Sequence, residues 1–447
     1  MREWITYDIP IRCKLYKVPD MDSEDYVCCN CIGDRYLKRE IEDADLVKKC
    51  SYCDGDEAEV IEFDELAQRI EEIYREFFIP GNEVSRFFGD SDRLEYSQEG
   101  DDPQCIIDEM LQSDDHTLVD DILSKLSGDE EYAVIKDCET AMFDSCSCYT
   151  RVYTGKREHQ NKWEEFTKVI KHSSRFFSSE AKSLLDDIFR DIGKFNSNKG
   201  HKPIRTIDGD EIFRARRFTT DEEIIKINES PEKELAAPPS HMAPNGRLSP
   251  LGIPVLYGAF DYETCLAELR LAVGDRAICG KFEVFKPLRI LDVSLLRDAF
   301  IELSFFDPEF ETKCSQMEFL NDFEIIISKP YSPEEIDLEY LPMQVMTEYL
   351  TRYVEGGIDA IVFSSAQKGM RTKNIAILKP RVEGDNRLPD DHFYFDGEAC
   401  EPNLRFVTGS LSIHQITAVE YKHSNDDLNA YLRFKEYEDR DNVPYYG

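Results

Sequence analysis

The sequence has no run of 18 apolar residues, so it offers no candidate for a membrane-spanning helix. Its opening, MREWITYDIP, lacks the succession of charged, apolar and small residues of a secretory signal, and the expected location is the cytoplasm. Basic residues are outnumbered: 54 Lys and Arg stand against 91 Asp and Glu, a formal charge of −37, with the acids spread along the chain. Holding a phosphate backbone takes clustered Lys and Arg, so direct nucleic-acid binding is disfavoured and the acidity reads as solubility. Histidine is scarce, with eight in 447 residues, and none stands in an HExxH or in a nucleophile pair. No GxGxxG follows a strand, which argues against a dehydrogenase. There is no internal repeat.

What is present belongs to a folded chain. Hydrophobic residues make up 41% and aromatics 11%, enough for real cores, and 447 residues exceed what one core organises. Three regions separate by composition: a cysteine-rich start (1–60), a helical stretch (61–200) and a mixed region of strands and helices (201–447). The expected class is α+β, a small metal knuckle and an all-helical domain preceding a mixed domain. Apolar residues recur at three and four in FDELAQRIEEIYREFF (63–78), in CIIDEMLQSDD and LVDDILSKL (105–126), in NKWEEFTKVIKHSSRFF (161–177) and in SSEAKSLLDDIFRDI (178–192), as on one face of a packed helix. The boundary is placed in 194–211, and residues 228–252 form a long Pro-rich loop.

Fourteen cysteines raise the question of disulfides, but secreted disulfide scaffolds are short and cysteine-dense. Here Cys28 and Cys31 form one CxxC, and Cys50 and Cys53 form another after 18 intervening residues. Four thiolates on two knuckles suit tetrahedral Zn²⁺ and leave no open position for water, so the site is structural. Cys29 is a bystander, and Cys146, Cys148 and the remaining cysteines are read as buried thiols.

The helical region invites comparison with HEPN ribonucleases, whose signature is an Arg, four to six residues and a His. Seven residues separate Arg151 and His159, which fails; Arg387 and His392 fit by count but enclose a proline and lie outside the helices. Trp163, Phe166, Phe176 and Phe177 are read as core.

The densest chemistry lies in GRLSPLGIPVLYGAFDYETCLAELR (246–270). GIPVLYGAF has a buried-strand pattern that ends near Tyr257. Asp261 is an N-cap for the helix YETCLAELRLAV, in which Tyr262, Cys265 or Leu266, Leu269 and Val273 form the apolar face and Glu268 lies on the flank. Upstream, IFRARRF puts Arg214 and Arg216 on one side of a strand. Downstream, IDAIVF is a strand ending in Ser364 and Ser365, and Asn374 precedes another. Arg, Tyr, Glu and Ser at the ends of successive elements make a polar pocket.

These pieces resemble the RES domain: the FRAR start, the Gly-Arg turn before GIPVLY, the ETCLAELR helix, the RILDV strand and GIDAIVFSSA followed by NIAIL. The resemblance covers most of 205–380, and the cysteine-rich start with WEEFTKVIKHSSRFF resembles the HEPN/RES amino-terminal module. The chain departs from the pattern by insertions between Arg216 and Arg247 and across about 296–340, and by its Ser-Ser pair.

RES proteins are toxins of bacterial toxin–antitoxin pairs that destroy NAD⁺ on a fold similar to ADP-ribosyltransferases. The resemblance therefore implies an NAD⁺-degrading enzyme, with Arg214 (or Arg216, one register along), Tyr257, Glu268 and Ser365 as its catalytic residues. Arg216, Arg247 and Asn374 are the substrate-binding candidates. It further implies an antitoxin partner and a homodimer. A carboxylate suits this chemistry because leaving nicotinamide develops positive charge on the ribose, while Arg forks match a diphosphate and a tyrosine face suits a flat cation. Competing readings are ADP-ribose transfer to a macromolecule and a module that binds nucleotide without turnover.

Overall fold

The structure is a computed structural model. It describes residues 25–419 except 54, 56, 88–93, 114–115, 138–140, 145, 153–156, 302, 330, 333, 366 and 386–400. Arg387 and His392, together with Cys13, Cys138 and Cys400, lie outside the described residues. Two compact units divide the chain: Met1–Gln160 with Ile301–Glu318, and Asn161–Phe300 with Phe319–Gly447. Among the described residues no helix is long and apolar enough to cross a membrane.

In the first unit, strand Tyr26–Cys28 pairs with Ala58–Glu62, which also pairs with Val47–Lys48. Helix Phe63–Phe77 follows, and its 3.6-residue period buries Leu66, Ala67, Ile70, Tyr74 and Phe77. Helix Pro103–Leu111 starts as its sequence dictates, with Pro in the first turn and the Asp102 side chain accepting from Cys105 N at 2.9 Å. Helix His116–Asp137 completes the set. Arg151 and His159 each have other partners. Arg151 donates to Glu109 at 2.7 Å and lies over the Phe305 ring, whereas His159 is buried with Nδ1 3.2 Å from Ser315 Oγ.

Helix Ser179–Ile188 and most of helix Glu158–His172 fall in the second unit. Trp163 and Phe166 are core, as expected, Trp163 meeting Phe323 edge-on at 5.7 Å. Phe176 and Phe177 are the exception: they are exposed, at 80% and 107%. The helix ends at His172, so the period that would have buried them stops; Phe177 sits in the turn at φ 57°. Cys105 and Cys146 are likewise exposed and Cys148 half-buried, correcting the reading of all remaining cysteines as buried.

The main sheet of the second unit has nine strands among the described residues: β1 (Ile204–Ile207), β2 (Glu211–Phe218), β3 (Leu256–Ala259), β4 (Arg276–Val284), β5 (Leu288–Asp292), β6 (Ala360–Ser365), β7 (Gly369–Ile377), β8 (Leu404–Phe406) and β9 (Ser412–Gln415). Their order is β8-β4-β2-β3-β7-β6-β5-β1, with β9 also on β4, and every pairing is antiparallel except β5 with β6. The fold is mixed helix and sheet, as expected. One sheet face carries Ile212, Leu256, Phe282, Val362 and Ile375 in a single core. Leu235, Ala236 and Ala237 of the Pro-rich loop join that core, so this part of the loop is packed down. The opposite face offers the small residues Ala215, Ala259 and Cys279, and helix α1 (Tyr262–Glu268) settles there through Cys265 and Leu266. The part of helix α2 (Phe310–Ser328) from Phe319 on and helix α3 (Leu341–Arg352) also belong to this unit.

Backbone approach at β3 leaves no room for a side chain. A Cβ on Gly258 would lie 2.5 Å from Ile212 Cγ2 and 2.8 Å from the Phe213 carbonyl oxygen. Gly258→Ala is therefore expected to destabilise the second unit by about 1–3 kcal/mol through overpacking, read as a lower midpoint in thermal or urea unfolding.

Candidate active site and metal centre

Helix α1 begins where the sequence places it: Asp261 Oδ1 accepts from Thr264 N and Oδ2 from Thr264 Oγ1, each at 2.7 Å. It is shorter than expected. It ends at Glu268, and Arg270 turns to φ 49°, so Val273 lies beyond the helix and is exposed, as Tyr262 is too. Ending there leaves Glu268 in the last turn, exposed, with its carboxylate directed to Ser365 at the end of β6 and to Asn374, which lies inside β7 and not before a strand as expected.

Three of the expected residues meet at that carboxylate. Ser365 Oγ donates to Glu268 Oε1 at 2.7 Å, and Asn374 Nδ2 donates to the same oxygen at 2.8 Å. Ser365 Oγ also accepts from Gln367 N at 3.2 Å and Lys368 N at 3.3 Å. With its lone pairs facing two amides, the hydroxyl proton is committed to Glu268. Ser365 and Asn374 are 2% and 5% exposed, so the donors are rigid and dry while the acceptor is reachable. Lys368 pairs with Glu263 at the other end of α1, tying the β6–β7 hairpin to the helix.

The remaining candidates are held elsewhere in the unit. Arg214 Nη1 donates to the Tyr257 carbonyl at 2.6 Å, and burial lowers its pKa. Strand alternation and the Arg214↔Gly280 register place Arg214 and Arg216 on the face opposite Phe213 and Ala215. Arg216 is exposed and bonds the Glu234 carboxylate at 3.1 Å. Tyr257 turns its hydroxyl toward the Gly-Arg turn, 3.0 Å from Ser249 Oγ and accepting from Leu248 N at 3.2 Å; burial pushes its phenol up. Arg247 donates to the carbonyls of Ile327 and Lys329, the latter at 2.6 Å, with its guanidinium 5.6 Å from the Tyr340 ring centre.

Sequence reading missed Gln344. From α3 its Nε2 donates to Asn245 Oδ1 at 2.7 Å and to the Gly246 carbonyl at 2.8 Å, clamping the turn that carries Arg247. Nothing local marks this residue, because its partners lie almost a hundred positions away. A cavity of about 860 Å³ opens at the far end of the same strands, lined by Val255, Gln344, Asp359 and Leu378, but none of the candidate residues lines it. Volume alone supplies no chemistry, so the oriented carboxylate at Glu268 is the stronger candidate for a reaction centre.

In the first unit the four cysteines converge as their spacing requires. Sulfur–sulfur distances are 3.6 Å for Cys28–Cys31, 3.5 Å for Cys28–Cys53 and 3.8 Å for Cys31–Cys50, and all four sulfurs lie within 4.8 Å of one another. A tetrahedron of thiolates bonded to a metal at about 2.3 Å has edges of about 3.8 Å, so the cluster fits a metal ion. Burial pushes the Cys28 and Cys31 thiols up. Burial acts the same way on Cys50, but N–H groups of Tyr52, Cys28 and Cys53 outweigh it and hold that thiol below its ordinary value. Cys29 is buried but points to Glu59, outside the cluster, as a bystander would.

Two family models match the chain. The RES domain model matches residues 225–396, which include Arg247, Tyr257, Glu268, Ser365 and Asn374 but not Arg214 or Arg216. The HEPN/RES N-terminal domain 1 model matches residues 43–184, which include Cys50 and Cys53. No curated protein matches the chain. The two matches stand in the expected order: the chain carries a RES domain preceded by a HEPN/RES N-terminal domain 1.

Proposed function

We propose that this protein degrades NAD⁺ by cleaving the bond between nicotinamide and ribose, with water or phosphate as acceptor. It would act as a bacterial growth-inhibiting toxin or defence effector. The observation that carries the reading is the Glu268 carboxylate, exposed to a ligand and oriented by Ser365 and Asn374 through one oxygen. Breaking the glycosidic bond builds positive charge on the ribose, and a carboxylate fixed beforehand stabilises it without reorganising at the moment of reaction. Ser365 and Asn374 hold Glu268 in place. Tyr257 orients the nicotinamide. Arg214 or Arg216, with Arg247, holds the diphosphate by forked donors; each must then exchange its present partner, the Tyr257 carbonyl, the Glu234 carboxylate or the carbonyls of Ile327 and Lys329, for phosphate oxygens. Transfer of ADP-ribose to a macromolecule uses the same carboxylate with a different acceptor and is the second reading.

The metal of the first unit is taken to be structural Zn²⁺. The protein is proposed to work in the cytoplasm, to pair as a homodimer and to be neutralised by an antitoxin, all on the strength of its RES domain.

Purified protein incubated with NAD⁺ is expected to release nicotinamide, and Glu268→Ala to lower kcat by about 10²- to 10³-fold. Comparing phosphate-free and phosphate buffers by chromatography of the adenosine product separates hydrolysis from phosphorolysis. Unchanged release from Glu268→Ala would remove the carboxylate from the reaction.

Elemental analysis is expected to find one zinc per chain and far less in Cys50→Ser, whose first unit should unfold at lower temperature. Because the Cys28 and Cys31 thiols are pushed up, metal binding must release protons, so affinity should weaken as pH falls. A chelator titration at two pH values reads this directly.

A further inference from the structure

The Ser365 hydroxyl can serve Glu268 only if the end of β6 is held still, and there the sheet pairs it on one side only. On one side, β5 stops pairing at Asp292↔Val362, two residues before Ser364. Asp292 is fully buried, and its carboxylate binds Lys373 Nζ at 2.9 Å and Ser294 Oγ at 2.6 Å as the chain turns away. On the other side, β7 pairs Lys373 with Ser364 but Gly369 with Ser365, so the register shifts between the two serines. Such irregularities re-aim side chains, at the cost of ladder partners. The Ser364 amide is left in a residue only 7% exposed, where an unsatisfied N–H is costly.

Glu324 supplies the partner. It projects from α2, its side chain is 4% exposed, and its Oε1 accepts from Ser364 N at 3.3 Å while its Oε2 pairs with Arg297. Arg297 keeps the buried charge compensated. Helix α2 thus reaches the strand that carries Ser365. We propose that Glu324 is a positioning residue for the reaction: by holding the Ser364 amide where the ladder ends, it fixes the angle at which Ser365 presents its proton to Glu268. This rests on the functional reading above for its kinetic consequence, and on geometry alone for the strand.

The test is a double-mutant cycle on the full-length protein, following nicotinamide release, with hydrogen exchange of the 361–368 segment measured in parallel. Glu324→Leu is expected to lower kcat by about 10- to 100-fold with little change in KM, and Glu324→Gln, which keeps an acceptor for the amide, to recover most of that loss. In a Ser365→Ala background Glu324→Leu should cost almost nothing further, because the group it positions is gone. Exchange at 361–368 should accelerate in Glu324→Leu and much less in Glu324→Gln. If Glu324→Leu yields too little folded protein, Glu324→Asp, which keeps the charge for Arg297 but shortens the reach, takes its place.

Equal losses in both backgrounds, or unchanged exchange, would overturn the proposal. If Ser365→Ala itself leaves NAD⁺ cleavage intact, the functional reading of Ser365 fails, and the exchange measurement still decides whether Glu324 holds the strand.

Discussion

The pairing of β3 with β7 is the constraint on which the second unit turns. Tyr257 lies opposite Ala376 and Ala259 opposite Asn374, so two segments more than a hundred residues apart share one register. A slip of one residue would send every side chain to the other face, trading Asn374 and Tyr257 for the apolar residues of the core. Gly258 allows β3 to come close to β2, and the small residues of the opposite face give α1 a seat. Once β3 is placed, the Asp261 cap starts the helix and the turn at Arg270 ends it. Glu268 then meets Ser365 at the end of β6 and Asn374 within β7.

Charge is handled in two ways in this acidic chain. Most carboxylates are solvated, and the pairs they make at the surface contribute little to stability. A few are buried, and each has donors around it: Asp292 has Lys373, Arg205 and Ser294, and Glu324 has Arg297 and the Ser364 amide. Buried charge survives only with such company, since desolvation otherwise exceeds the attraction. Glu268 differs from both kinds. Its donors are buried while the carboxylate itself is exposed, an arrangement that spends organised hydrogen bonds on a group accessible to a ligand.

The parts of the site that could be read from sequence were those whose physics is local. The CxxC pairs and the Asp261 cap depend on neighbours within a few residues, and each stands in the structure; the strand expected over GIPVLYGAF is shorter, Leu256–Ala259, with Tyr257 inside it and Ile253 exposed. Local period also misleads where an element ends early. Phe176 and Phe177 continue the spacing of a helix that has stopped at His172, and Val273 continues one that has stopped at Glu268. Residue type alone says as little about cysteines, since Cys105 and Cys146 are exposed while Cys265 and Cys279 are buried.

By itself the sequence determined which residues could do chemistry and roughly where along each element they stand, because capping, alternation and ligand spacing are short-range rules. Tertiary structure decided which of them meet. It joined Glu268 to Ser365 and Asn374 across about a hundred residues, and it turned Tyr257 and Arg247 toward backbone partners. It also recruited Gln344 and Glu324, which no motif marks. A hydrogen bond between distant segments depends on strand register and on where a ladder ends, and those follow from how the whole sheet packs.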